Sequence, residues 1–148
     1  MPENKSEAIE TVRAFLAALE DFDIDLALTY VAPGIVYQNV PLPPARGAAA
    51  VAKQLRAMTR YATGFEARIH HIAAESDGIR DTVLTERTDV LVSGRWRAEF
   101  WVCGTFEVRE GKITLWRDYF DWTTILVASL RGLGRLIPRS RRFKPVSS

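Results

Sequence analysis

Five side chains able to do chemistry sit inside segments that otherwise read as apolar strands: Tyr37 and Asn39, Arg87 and Asp89, and Asp118. Residues two apart on a strand project from the same face. In 81–92 that face is Val83, Thr85, Arg87, Asp89 and Leu91; in 112–121 Asp118 shares its face with Thr114, Trp116 and Phe120; in 34–40 Tyr37 and Asn39 share theirs with Ile35. Burying an arginine and two carboxylates is costly unless the charges pair. One guanidinium has donors enough for both carboxylates. It favours their charged forms, while desolvation and mutual repulsion oppose them, so one carboxylate can keep a proton near neutral pH while the other acts as a base. Such a pair titrates as a coupled unit. With a tyrosine hydroxyl and an asparagine amide to orient one water, the set supplies an acid, a base and a positioned nucleophile, with no metal and no covalent step. Opening a strained ether suits it: the acid protonates the departing oxygen while the base deprotonates the attacking water.

The elements that must bring these residues together can be read along the chain. Asn4 followed by Glu7 has capping spacing, and Ile9, Val12, Leu16 and Leu19 then recur at helical intervals, which predicts a helix over roughly 5–20. Asp23 caps a second, short helix through Tyr30, and Pro33-Gly34 breaks it. A strand follows over 34–40 and stops at Pro41-Leu42-Pro43-Pro44, because proline cannot donate to a ladder. After Gly47 comes an Ala-rich helix, about 48–61, with Val51, Leu55 and Met58 on its apolar side. Four strands over about 64–75, 81–92, 96–108 and 112–121 are separated by Ser76-Asp77-Gly78, Ser93-Gly94 and Glu110-Gly111. A last helix, about 123–136, ends at Pro138. Helix, helix, strand, helix, four strands, helix is an α+β order: one curved sheet with helices on one side. If the three polar faces line one concavity, the pocket is greasy with five polar groups in it, as small-molecule sites are. Leu91, Phe100, Val102, Phe120 and Met58 are then its expected walls.

Size and composition narrow the classes. A chain of 148 residues with 47% hydrophobic and 26% charged residues is one ordinary globular domain, here 1–137, followed by a basic tail, 138–148. The lone Cys103 excludes an internal disulfide and any cysteine-based zinc site. Met1 to Glu10 holds no apolar core of a signal peptide, and no run is long enough to span a membrane, so the cytoplasm is the expected address. The net charge of +2 conceals an asymmetry: Leu126 to Ser148 carries six basic residues and no acid, leaving −4 on the remainder. A basic end of this kind suits anionic lipid or nucleic acid, or is simply solvated.

The segments Tyr37-Gln38-Asn39-Val40-Pro41-Leu42-Pro43-Pro44, Leu84-Thr85-Glu86-Arg87-Thr88-Asp89-Val90 and Gly111 to Asp121 resemble, in this order, the limonene-1,2-epoxide hydrolase family, over about residues 5–125. Phe100-Trp101-Val102-Cys103-Gly104 is similar to its mycobacterial-type members. The resemblance implies a cone-shaped α+β fold of the nuclear-transport-factor-2-like (NTF2-like, cystatin-like) type and a homodimer. It implies one-step hydrolysis of a small hydrophobic epoxide to a vicinal diol, with no cofactor and no nucleic-acid partner. By motif, Asp118 resembles the water-activating base, Asp89 the acid, Arg87 the bridge between them, and Tyr37 with Asn39 the holders of the water. Trp96, Trp101 and the surroundings of Met58 depart from the limonene enzyme, which bears on the substrate rather than on the chemistry.

Other features read as structural. Asp121, opposite in parity to Asp118, is placed to cap the last helix. His70 and His71, adjacent on a strand, are expected on opposite sides and so cannot share a metal. Cys103 reads as a core thiol, and Gly132-Leu133-Gly134 follows a helix rather than a strand, a poor nucleotide signal. Two further functions fit the same fold: an isomerase or cyclase of the ketosteroid-isomerase or polyketide-cyclase type, against which the bridging Arg87 argues, and a non-catalytic lipid-binding protein docking through its basic tail.

Overall fold

Apolar spacing and turn residues set the elements. The computed structural model describes residues 2–134. Helix α1 (Pro2–Glu20) buries Ala8, Val12, Phe15, Leu16 and Leu19, all on one face. It starts earlier than expected, so Asn4 lies inside the helix and forms no cap with Glu7; proline is well suited to a first helical turn. Asp23 caps α2 (Ile24–Thr29), accepting from the Leu26 N–H at 3.0 Å.

Strand β1 (Val31–Val40) begins three residues before the expected position and runs through Pro33-Gly34. Its register against β6 (Lys112–Phe120) shifts between Val31 and Val36, so the expected break is a bulge, where proline is tolerated. A two-residue strand the sequence did not disclose, β2 (Ala45–Arg46), pairs with Val36 and Tyr37 of β1. Helix α3 (Ala48–Tyr61) follows Gly47, whose φ of 88° favours glycine. The remaining strands are β3 (Gly64–Ser76), β4 (Asp81–Ser93) and β5 (Trp96–Arg109), and α4 (Trp122–Gly134) closes the described chain. The basic tail, 138–148, lies outside the described residues.

The strands form one mixed sheet in the order β2-β1-β6-β5-β4-β3, parallel only between β1 and β6. This is the expected α+β architecture, a curved sheet packed by helices. Helix α1 lies across the sheet's inner face, where Phe15 meets Trp116 edge-on at 5.0 Å and Phe106 at 6.3 Å. Helix α3 packs on β1 and β2, and α4 on β5. Among the described residues no helix is long and apolar enough to cross a membrane.

Two expectations about faces fail. The β3 register shifts between Ile69 and His71, and both histidines are exposed. His70 Nε2 lies 2.9 Å from Thr88 Oγ1 and its ring stacks on Trp101, while His71 lies 4.0 Å from Glu86. The extra residue of a bulge breaks strict alternation, which two-residue parity could not foresee. Cys103 is exposed rather than in the core, because it alternates with the buried Val102 and Gly104 and therefore points to the outer face.

Candidate active site

Ladder register brings the five polar residues together. Asn39 on β1 pairs with Asp118 on β6, and Asp118 pairs in turn with Gly104 on β5, which pairs with Thr85 on β4. One pleat further along, Arg87, Val102 and Phe120 stand in one row. Paired residues share a face, so Tyr37, Asn39, Asp118, Thr85, Arg87 and Asp89 project to one side of the sheet, where Arg87, Asp118 and Thr85 meet over Gly104.

The centre is the Arg87 guanidinium, 1% exposed. Its Nε donates to Asp89 Oδ1 at 2.8 Å and its Nη2 to Asp89 Oδ2 at 3.2 Å, a bidentate pair. Nη2 also donates to Asp118 Oδ2 at 2.7 Å, and Nη1 to Thr85 Oγ1 at 3.2 Å. Asp118 Oδ1 is buried and accepts no hydrogen bond from the described residues. Asn39 Nδ2 donates to the Tyr37 hydroxyl at 2.8 Å, and the Tyr37 ring stacks on Trp116 at 3.9 Å.

Electrostatics acts strongly on three of these groups. Burial pushes Asp89 up to about 6, and the negative charges of Asp118 and Glu20 push the same way; Arg87 opposes them without prevailing. Arg87 is drawn down by burial, but Asp118 and Asp89 more than reverse this and hold it charged, above its ordinary range. Burial and the charge of Asp118 raise Tyr37 above the usual phenol range, so its hydroxyl keeps its proton.

A cavity of about 240 Å³ opens over these groups, with Tyr37, Asn39, Asp89 and Asp118 among its lining. Of the expected walls, Met58, Leu91, Phe100 and Phe120 line it. Val102 does not: it is fully buried between Arg87 and Phe120 in register, a short side chain covered by larger neighbours. Trp96 lines the cavity, whereas Trp101 has the opposite parity and lies on the outer face, 49% exposed. Helices complete the wall with Leu19, Leu55, Trp122 and Ile125; the sequence showed Leu19, Leu55 and Ile125 only as apolar helical positions, and Trp122 lay just outside the helix expected over about 123–136. Trp122 is tied down by its Nε1–H, which donates to the Val40 carbonyl at 2.9 Å. Asp121 caps α4 as expected, accepting from the Thr123 N–H at 2.9 Å.

Three supporting residues were missed. Gly104 provides the space the guanidinium occupies: a Cβ there would lie 2.5 Å from Arg87 Nη1 and 2.8 Å from both Asp118 Oδ1 and Thr85 Oγ1. Its register opposite Asp118 was the available signal. Thr85, on the same face as Arg87, accepts from one N–H of Nη1. Glu20 accepts from the N–H of Ala67, the cross-strand partner of Asp89, at 2.7 Å. Nothing local in the sequence brings the end of α1 to β3.

The model of the limonene-1,2-epoxide hydrolase catalytic domain matches residues 6–131. Epoxide hydrolase EphG of Mycobacterium tuberculosis is 46% identical over 126 residues, covering 85% of this chain and 81% of that protein. The solved structure of an M. tuberculosis epoxide hydrolase, described as like the limonene-1,2-epoxide enzymes, superposes with a TM-score of 0.78 at 47% identity, covering 89% of this chain and 96% of the other. An NTF2-like protein with a cystatin-like fold from Novosphingobium aromaticivorans superposes with a TM-score of 0.67 at 12% identity, covering 84% and 88% of the two chains, and shares the fold alone. On the match across 6–131 and this identity, the chain belongs to the limonene-1,2-epoxide hydrolase family.

Proposed function

We propose that the chain is an epoxide hydrolase that adds water to a small hydrophobic epoxide in one step, giving a vicinal diol, without a cofactor. The observation that carries this reading is the buried Asp89–Arg87–Asp118 bridge at the polar end of an apolar cavity, with Asp118 Oδ1 free of hydrogen-bond partners among the described residues. Asp118 Oδ1 takes a proton from a water held by Tyr37 and Asn39. The water oxygen bonds to one epoxide carbon as that carbon's bond to the ring oxygen breaks. Asp89, raised by burial to about 6 so that its acid form persists closer to neutrality than an ordinary carboxyl's, gives its proton to the departing oxygen. After the step Asp118 carries a proton and Asp89 a charge; moving one proton between them restores the site, and Arg87 stays paired with both carboxylates throughout. Met58, Leu91, Phe100 and Phe120 hold the hydrocarbon part of the substrate.

The reading includes a homodimer formed through the sheet's outer face, where Leu84, Trp101, Cys103 and Tyr119 are exposed together on β4, β5 and β6. It also includes a cytoplasmic address, and contact of the C-terminal end with a membrane.

The test is diol formation from a panel of terpene, fatty-acyl and sterol epoxides with a chelator present, for wild type and Asp118→Asn. The expected result is diol from wild type and a fall of about 10²–10⁴-fold in the variant with fold intact. Wild-type turnover in Asp118→Asn contradicts the assignment of the base.

A further inference from the structure

Helix α4 has two working faces. Trp122 and Ile125 line the cavity. On the other side Leu126, Val127 and Leu130 are exposed, Leu126 and Leu130 each at 59%. Residues four apart stack on one face of a helix, so these three form a single apolar stripe open to solvent. Trp122 joins the two faces: it lines the cavity and is itself 40% exposed, at the rim.

Charge identifies what the stripe meets. Arg131, exposed, follows Leu130 directly, and the sequence from Leu126 to Ser148 carries six basic residues and no acid. The rest of the chain has a net −4, so any anionic surface attracts this end and repels the remainder. An apolar helical stripe with Arg131 beside it, a tryptophan at its edge and five more basic residues following in the sequence has the composition of a segment that lies in a membrane interface. Anionic lipid supplies both the charge and the apolar layer; a soluble polyanion supplies only the charge and leaves the leucines in water.

We infer that the outward face of α4 docks on an anionic lipid surface and holds the cavity rim at Trp122 against it. The inference deepens the epoxide hydrolase reading and rests on it for its purpose: a hydrophobic epoxide dissolved in a bilayer reaches the cavity without crossing water.

The test is flotation of the purified full chain with vesicles of phosphatidylcholine alone or doped with phosphatidylglycerol. It compares wild type with the double variant Leu126→Ser, Leu130→Ser, and in parallel reads turnover of a water-soluble epoxide in buffer. Wild type is expected to float with the anionic vesicles and not with the neutral ones. The double variant should lose at least ~10-fold in vesicle affinity while keeping wild-type turnover in buffer, since neither leucine lines the cavity. Absence of wild-type binding, equal binding to neutral vesicles, or equal binding by the variant overturns the inference. A drop in the protein's own association state in the double variant, without loss of vesicle binding, also overturns it and assigns the stripe to a second copy. A wild type that floats yet turns over no epoxide leaves the docking surface standing and refutes the catalytic reading.

Discussion

A fully buried arginine held by two carboxylates is a poor means of stabilising a fold. Desolvating three charges costs about as much as their attraction returns, and an apolar cluster of the same shape does as well or better. On the proposed mechanism its value is to hold an acid, Asp89, and a base, Asp118, on one guanidinium. The consequence is a pH dependence with a definite sign. Asp89 is raised from 3.8 to about 6, chiefly by burial, so its acid form is lost as pH rises through about 6. On the proposed mechanism kcat/KM therefore declines on the alkaline side of that value, which a pH–rate profile checks; an alkaline limb that survives unchanged in a still-active Asp89→Asn belongs to another group. Stability follows the same sign. Between the two values the folded state binds more protons than the unfolded one, so Asp89's contribution is most favourable below about 4 and is lost as pH rises towards 6. Denaturant melts across this window should show the slope in wild type and its loss in Asp89→Asn. Gly104 makes the second prediction at this scale. A methyl group there meets Arg87, Asp118 and Thr85 at once, all short of van der Waals distance. Gly104→Ala should lower turnover by about 10²-fold through misplacement and stability by about 1–3 kcal/mol through overpacking; wild-type kinetics in that variant would show that the guanidinium can move without loss.

The strands explain which residues could be found from the sequence. Where a strand is regular, two-residue parity places side chains correctly: Arg87 and Asp89 share the inner face of β4, and Asp118, Trp116 and Phe120 that of β6. Where a strand carries a bulge, parity fails. His70 and His71 both face outward because the β3 register shifts there, and Pro33-Gly34 bends β1 instead of preceding it. Cys103 and Trp101 are a different case, for their parity was legible but the hydrophobic company of β5 suggested a core thiol for Cys103, and the family resemblance set Trp101 among the walls. Glu20 and the α1–β3 contact depend on how a helix lies across the sheet, which no local pattern encodes. The exposed set Leu84, Trp101, Cys103 and Tyr119 follows from the same alternation: on a sheet with helices on one side these four face outward, beside charged residues such as Glu86 and Glu99. If that face makes the dimer, Leu84→Glu combined with Trp101→Glu yields a monomer with unchanged circular dichroism; a variant that sediments like wild type sends the interface elsewhere.

For the whole molecule, the three motifs are far apart in sequence, and only the ladder from β1 through β6 and β5 to β4 makes them one site. The α+β order and the five polar residues were legible because strand parity and turn chemistry are local. The closing wall was not, because Leu19, Leu55, Trp122 and Ile125 come from three helices whose packing is set by the whole core. The central claim is that Asp118 activates water for direct attack and does not itself attack the epoxide. It is tested most directly by a single turnover, with enzyme in excess over an accepted epoxide, in water enriched in heavy oxygen. Direct attack predicts that the diol of this first turnover carries the label. An unlabelled first-turnover diol, with its new oxygen drawn from the protein, would mean that a carboxylate attacked and would contradict the account.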